Sequence, residues 1–99
     1  MIETKITHHE TANGGEYRAE VEGSDKIGRL TYKNRDGGKV RVADHTLVPP
    51  AIGGQGVASN LVDALVEDAR RHDFKIVPQC SYVEAKFREN PDWSGLRAA

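Results

Sequence analysis

Ninety-nine residues with 14 basic and 15 acidic side chains carry a formal net charge of −1, so no global field draws the chain toward nucleic acid or an anionic membrane. Hydrophobic content of 37% with 29% charged residues describes a soluble globular chain, and a chain this short buries only about two-thirds of its unfolded surface, enough for one sheet under one or two helices. No apolar run is long enough to span a bilayer, the start MIETKITHH lacks the layout of a signal peptide, and the lone Cys80 excludes an internal disulfide and a cysteine zinc site; one cytoplasmic domain over residues 1–99 is expected.

The first half alternates. IETKIT, with Ile2, Thr4 and Ile6 in phase, is the weakest strand. EYRAEVE puts Tyr17, Ala19 and Val21 on one face and Glu16, Arg18, Glu20 and Glu22 on the other, between the turn signals NGG (13–15) and GSD (23–25). KIGRLTYKN continues with Leu30 and Tyr32 in phase, and RDGG (35–38) makes the next turn.

KVRVADHTLV breaks its own rhythm. Val40 and Val42 share a face, but the same parity would put Asp44 and Thr46 there, with Ala43, His45 and Leu47 opposite. Either a bulge near Asp44 shifts the register, or the strand is buried on both faces with Asp44 hydrogen-bonded at the edge. Pro49 and Pro50 then force an extended exit.

From Gly56 onward Ala58, Leu61, Val62, Leu65 and Ala69 recur at helical spacing, with Asp63, Glu67, Arg70 and Arg71 outside and Arg70 to His72 at the negative end of the dipole. FKIV (74–77) is a short strand, so strand, glycine loop, helix and strand form a crossover whose two strands run parallel. After Pro78, SYVE offers a capping box, Ser81 to Glu84, for a second helix ending before Pro91; the tail docks Trp93 and Leu96 and then frays. The fold class is α+β with a mixed sheet.

A helix that opens in glycines offers free N–H groups and the positive end of its dipole to an anion, with no Cβ in the way. A P-loop would need Lys after its last glycine, where Val57 stands, and a dinucleotide fingerprint from Gly54 and Gly56 meets Ser59 in its third slot behind antiparallel hairpins. The remaining reading is a different phosphate ligand.

GGQGVAS resembles the pyrophosphate loop of the GNAT superfamily of acyl-CoA-dependent N-acyltransferases, with Gly56 and Ala58 in its last two positions and Gly53 where Arg or Gln is usual. With its flanks, about half the chain is similar to the small single-domain, YjdJ-type branch of GNAT-like proteins. His45, Thr46, Val48, Pro49, Cys80, Asn90 and Pro91 stand at the matching places. The resemblance implies a minimal GNAT-like fold: antiparallel strands, a bulged strand, the pyrophosphate helix, a parallel strand splayed from the bulged one, and a short C-terminal helix. It also implies acetyl-CoA or coenzyme A as co-substrate. The loop Gly53, Gly54, Gln55, Gly56, Val57, Ala58 and Ser59 would hold the pyrophosphate, main-chain groups of Leu47 and Val48 the pantetheine arm, and Tyr82 and Lys86 of the last helix the rest of the coenzyme. Lys86 and Arg88 have a solvated helix face as their alternative.

Two positions depart from the family. Leu47 replaces a Glu common in the small branch, and Phe87 stands where a Tyr often protonates the departing thiolate. The candidates for chemistry are then Cys80, as acyl acceptor or base rather than a structural thiol, and His45, as a base oriented by Asp44 rather than a satisfied edge histidine. His8 and His9 are expected in solvent, and no histidine spacing points to a metal. The expected function is acetyl transfer to an unidentified amine; the alternatives are a non-catalytic CoA-binding regulatory or carrier module, and a ligand-free interaction domain. No nucleic-acid or membrane partner is expected, and at most a weak homodimer.

Overall fold

The computed structural model describes residues 3–98, and the expected contribution of Ile2 to the first strand lies outside them. Strands β1 (Thr4–Glu10), β2 (Gly14–Val21), β3 (Ile27–Arg35) and β4 (Val40–Leu47) form consecutive antiparallel hairpins; helix α1 (Val57–His72) carries the chain to β5 (Lys75–Pro78), which pairs parallel to β4. The sheet order is β1-β2-β3-β4-β5, so sequence order and spatial order coincide. Helix α2 (Ser81–Glu89) and a 3₁₀ segment (Pro91–Leu96) complete the fold, an α+β arrangement consistent with the minimal GNAT-like expectation.

The alternation in β2 and β3 translates directly into burial: Tyr17, Ala19, Val21, Leu30 and Tyr32 all face the core. Above them α1 lays down Val57, Leu61, Val62, Leu65, Val66 and Ala69. The helix lies close to the sheet at its start because residue 28 is glycine; a Cβ there would stand 2.9 Å from Val57 Cγ1. At its other end Asp73 adopts a left-handed conformation (φ 57°) and donates its N–H to the Ala69 carbonyl, a stop that an Asp tolerates better than most residues.

The parity conflict in β4 is a bulge. Thr31 pairs with His45 and Tyr32 with Ala43, leaving Asp44 as the extra residue. Its carboxylate accepts a hydrogen bond from Thr31 Oγ1 at 2.6 Å and faces Lys33 Nζ at 4.0 Å. The bulge puts Ala43 and Thr46 on the core side of one strand, which regular alternation forbids.

Two details differ from expectation. The N-cap of α2 is Cys80, not Ser81: the Cys80 N–H is anchored on the Ala43 carbonyl (2.8 Å), so the Cys80 carbonyl becomes the first helical acceptor, taken by the Glu84 N–H. Glu84 therefore turns outward into a bidentate pair with Arg97 (2.7 and 3.0 Å) instead of closing a capping box. The tail does not fray within the described residues, because Arg97 bridges to Ile76 and the Ala98 N–H bonds the Ile76 carbonyl at 2.8 Å. No helix of the described residues is long and apolar enough to cross a membrane.

Candidate functional site

β4 and β5 stay together for four residue pairs, from Val40 with Lys75 to Ala43 with Pro78. Pro78 then ends β5 while β4 runs on through Asp44 to Leu47, and among the described residues no strand pairing continues on that side. The strands open into a V. The bulge bends one arm, and the proline, which has no N–H for the ladder, terminates the other.

Both helices begin at the open end. α1 follows β4 through the glycine loop, and α2 follows β5 directly, so two helix N-termini with their free N–H groups flank the opening. In the loop a 3₁₀ turn (Pro50–Ile52) buries Ile52 as an anchor, while Gly53, Gly54, Gln55 and Gly56 are exposed. Gly54 (φ 75°) and Gly56 (φ 78°) occupy the left-handed region, and a Cβ on either would meet nothing within 4 Å. They are glycines for backbone conformation. Gly53 is not: its φ of −70° suits any residue, and a Cβ there would find its nearest neighbour, the Pro50 carbonyl oxygen, at 3.4 Å.

No side chain caps α1. The Asn60 N–H is the first to find a helical acceptor, Gly56 O at 3.0 Å, so the N–H groups of Val57, Ala58 and Ser59 precede the hydrogen-bond ladder. Val57 contributes through its backbone alone, since its side chain is buried against Gly28.

Cys80 stands at the apex of the V. Its Sγ lies 3.5 Å from Thr46 Oγ1 across the opening. Burial pushes the thiol up, but hydrogen bonds that favour the thiolate outweigh it: the Thr46 hydroxyl first, then the backbone N–H groups of Val83, Tyr82 and Thr46. The net effect holds Cys80 below the ordinary thiol value, at the N-terminal end of α2.

The other candidates are distributed around this centre. Thr46 pairs with buried Leu30 and points inward, so its neighbour His45, paired with Thr31, points to the opposite, outer face of the sheet and is exposed. Cys80 and Thr46 are brought together; Cys80 and His45 are not. The Asp44 carboxylate is engaged by Thr31 and Lys33. Leu47 is 52% exposed on the outer face, opposite Arg29, while Val48 packs partly against the core. Tyr82 is half-buried in the first turn of α2, and Lys86, one turn on, is 20% exposed and faces Glu89 at 3.9 Å. Phe87 is core: its ring meets Trp93 edge-on at 5.4 Å, a packing role that needs no hydroxyl.

A second polar cluster was not foreseen. His8 is an exposed residue, as expected, but its imidazole, 27% exposed, stacks on Tyr17 (4.5 Å, 8°) and bonds the Tyr32 hydroxyl through Nε2 at 2.6 Å. Tyr17 donates to Asp68 Oδ2 (2.7 Å) and accepts from Arg41 (2.8 Å), whose guanidinium lies between the rings of Tyr32 and Phe74. The signal lay in the phase of β1: His8 continues the inward parity of Thr4 and Ile6.

Comparison with known families gives a match. A family model described as GCN5-related N-acetyl-transferase matches residues 16–96, from the middle of β2 to the end of the C-terminal 3₁₀ segment.

Proposed function

The chain belongs to the GCN5-related N-acetyltransferase family, and from that premise we propose that residues 1–99 act as one acyltransferase domain that takes an acetyl group from acetyl-CoA and passes it to an amine. The observation that carries the reading is the V between β4 and β5, flanked by two helix N-termini and holding Cys80 and Thr46 3.5 Å apart at its apex.

In this reading the pyrophosphate rests on the N–H groups that open α1, reached closely because Gly54 and Gly56 carry no side chain. The pantetheine arm runs along the main chain of Leu47 and Val48 into the V, with Tyr82 and Lys86 lining the α2 side. The Cys80 thiolate attacks the thioester carbonyl carbon; its electron pair forms the new carbon–sulfur bond, the bond to coenzyme sulfur breaks, and the coenzyme thiolate takes a proton from water. The amine then attacks the acetyl-Cys80 carbonyl, the Cys80 sulfur leaves with its electron pair, and the amine gives up its proton to water, since His45 lies on the outer face, away from Cys80. Donors that favour the Cys80 thiolate in the resting protein also make it a competent leaving group.

Phe87, packed on Trp93 without a hydroxyl, and Leu47, without a carboxylate, favour one second reading: the same coenzyme site without turnover. Two measurements separate the readings. Coenzyme A at millimolar concentration should raise the thermal midpoint by mass action, and no shift would sink both. Intact mass after mixing with acetyl-CoA should show a gain of one acetyl group that is absent in Cys80→Ser; turnover with an amine panel but no adduct would assign the thiolate to proton transfer, and neither adduct nor CoA release would leave a binding module.

A further inference from the structure

Between the edge strand β1 and the C-terminal half of α1 lies a cavity of about 250 Å³, below the roughly 300–1,000 Å³ of pockets that hold drug-sized ligands. It suits a ligand of a few non-hydrogen atoms. Its floor is the stacked pair His8 and Tyr17, its walls include Ile6 and Ala64, and its mouth carries Glu67, Asp68 and Arg71.

The charges do not cancel. Arg71 faces Glu67 at 3.7 Å and Asp68 at 3.8 Å, and behind the floor Arg41 faces Glu10 at 3.9 Å, so three carboxylates stand against two guanidiniums. His8 adds no compensating charge near neutral pH, because burial, then the Arg41 guanidinium, hold its imidazole below its ordinary value.

Asp68 is the recognition element. Its side chain is 17% exposed; Oδ2 accepts from the Tyr17 hydroxyl at 2.7 Å, while the only cation near Oδ1 among the described residues is the 63%-exposed Arg71, beyond hydrogen-bond distance. A partly desolvated carboxylate oxygen with one bond still to make, beside apolar walls, is complementary to an ammonium on a short hydrocarbon chain.

We propose that this cavity binds a small primary alkylammonium ion, its ammonium on Asp68 Oδ1 and its chain between Ile6 and Ala64. The site is separate from the V. Tyr17 of the floor, Leu30 and Thr46 follow one another in one row across β2 to β4, so two strand spacings, about 10 Å, divide the cavity floor from the residue that touches Cys80, with buried Leu30 between. An amine held here is not placed to receive an acetyl group. The inference does not depend on the proposed reaction.

The test is a titration followed by NMR at the His8 imidazole and the Ala64 methyl, at neutral pH and constant ionic strength, with butylammonium chloride, 1-butanol and sodium butyrate. Butylammonium should saturate at about millimolar concentration, as five non-hydrogen atoms allow; butanol should bind at least about tenfold more weakly for want of the charge-assisted bond, and butyrate not at all. Asp68→Asn, which keeps an acceptor for Tyr17, and Ala64→Leu, which fills one wall and leaves Asp68 in place, should each abolish saturation while coenzyme A still binds. Equal binding of butanol and butylammonium, saturation that survives both variants, or no saturation at all would overturn the proposal.

Discussion

Cys80 and Thr46, 34 residues apart in sequence, meet across the opening between β4 and β5 with Sγ and Oγ1 3.5 Å from each other. The contact exists because the Asp44 bulge returns Thr46 to the core side of β4. Thr46→Val removes the hydroxyl and keeps the shape, so the thiol should titrate higher and its alkylation by iodoacetamide at neutral pH should slow by up to about tenfold, one unit of pKa. Thr46→Ser should restore the rate. An unchanged pH profile in Thr46→Val would show that the backbone donors of α2 suffice.

The ordinary φ of Gly53 leaves room for a side chain at the place where the resemblance leads one to expect Arg or Gln. Gly53→Gln should tighten coenzyme A binding several-fold in calorimetry by adding a donor to the pyrophosphate. Gly54→Ala and Gly56→Ala should weaken it, since each forces a Cβ into a left-handed conformation at about 1–2 kcal/mol.

Gly28→Ala tests how α1 is seated. The added methyl would meet Val57 Cγ1 at 2.9 Å, against a buried side chain, and should lower stability by about 1–3 kcal/mol in urea denaturation. Because Val57 opens α1, coenzyme affinity should fall with it. Val57→Ala in the Gly28→Ala background should recover part of both losses, the mark of a direct clash.

The His8 imidazole titrates below 6.5 in the folded chain, through burial and then Arg41, against the attraction of Asp68 and Glu10. The unfolded chain therefore binds more protons in the window just under 6.5, and stability should fall as pH drops through it, with no contribution from His8 above. His8→Gln should flatten that part of a plot of urea midpoint against pH. A slope that is the same in both proteins would mean that His8 binds its proton equally well in the two states.

What the sequence discloses and what it hides divide along chain separation. The hairpins of Tyr17, Ala19, Leu30 and Tyr32 follow from local alternation and turn chemistry, and the break at Asp44 is readable as a parity conflict, which either a bulge or a strand buried on both faces would explain and which the pairing of Thr31 with His45 and of Tyr32 with Ala43 resolves as a bulge. The glycine loop is legible because Gly54 and Gly56 serve the backbone. The partner of Cys80 is not, since it depends on how far β5 extends before Pro78 stops it. Ser81 misleads for the same reason: the Ala43 carbonyl, distant in sequence, fixes the Cys80 N–H and moves the cap back by one residue. The His8 cluster is assembled from β1, β2, β3, β4 and α1, and no window of sequence contains it.

The order β1-β2-β3-β4-β5 has a kinetic consequence. Each of the first three pairings closes a short hairpin, whereas β5 docks only after the 34 residues between Val40 and Lys75 have folded back on themselves. Closure of the longer loop costs more entropy before any contact rewards it. The V therefore belongs to the last-formed and first-released part of the sheet, where amide protons of β5 should exchange ahead of those in β2 and β3, and a coenzyme seated in it would act as a clasp on the slowest joint of the fold.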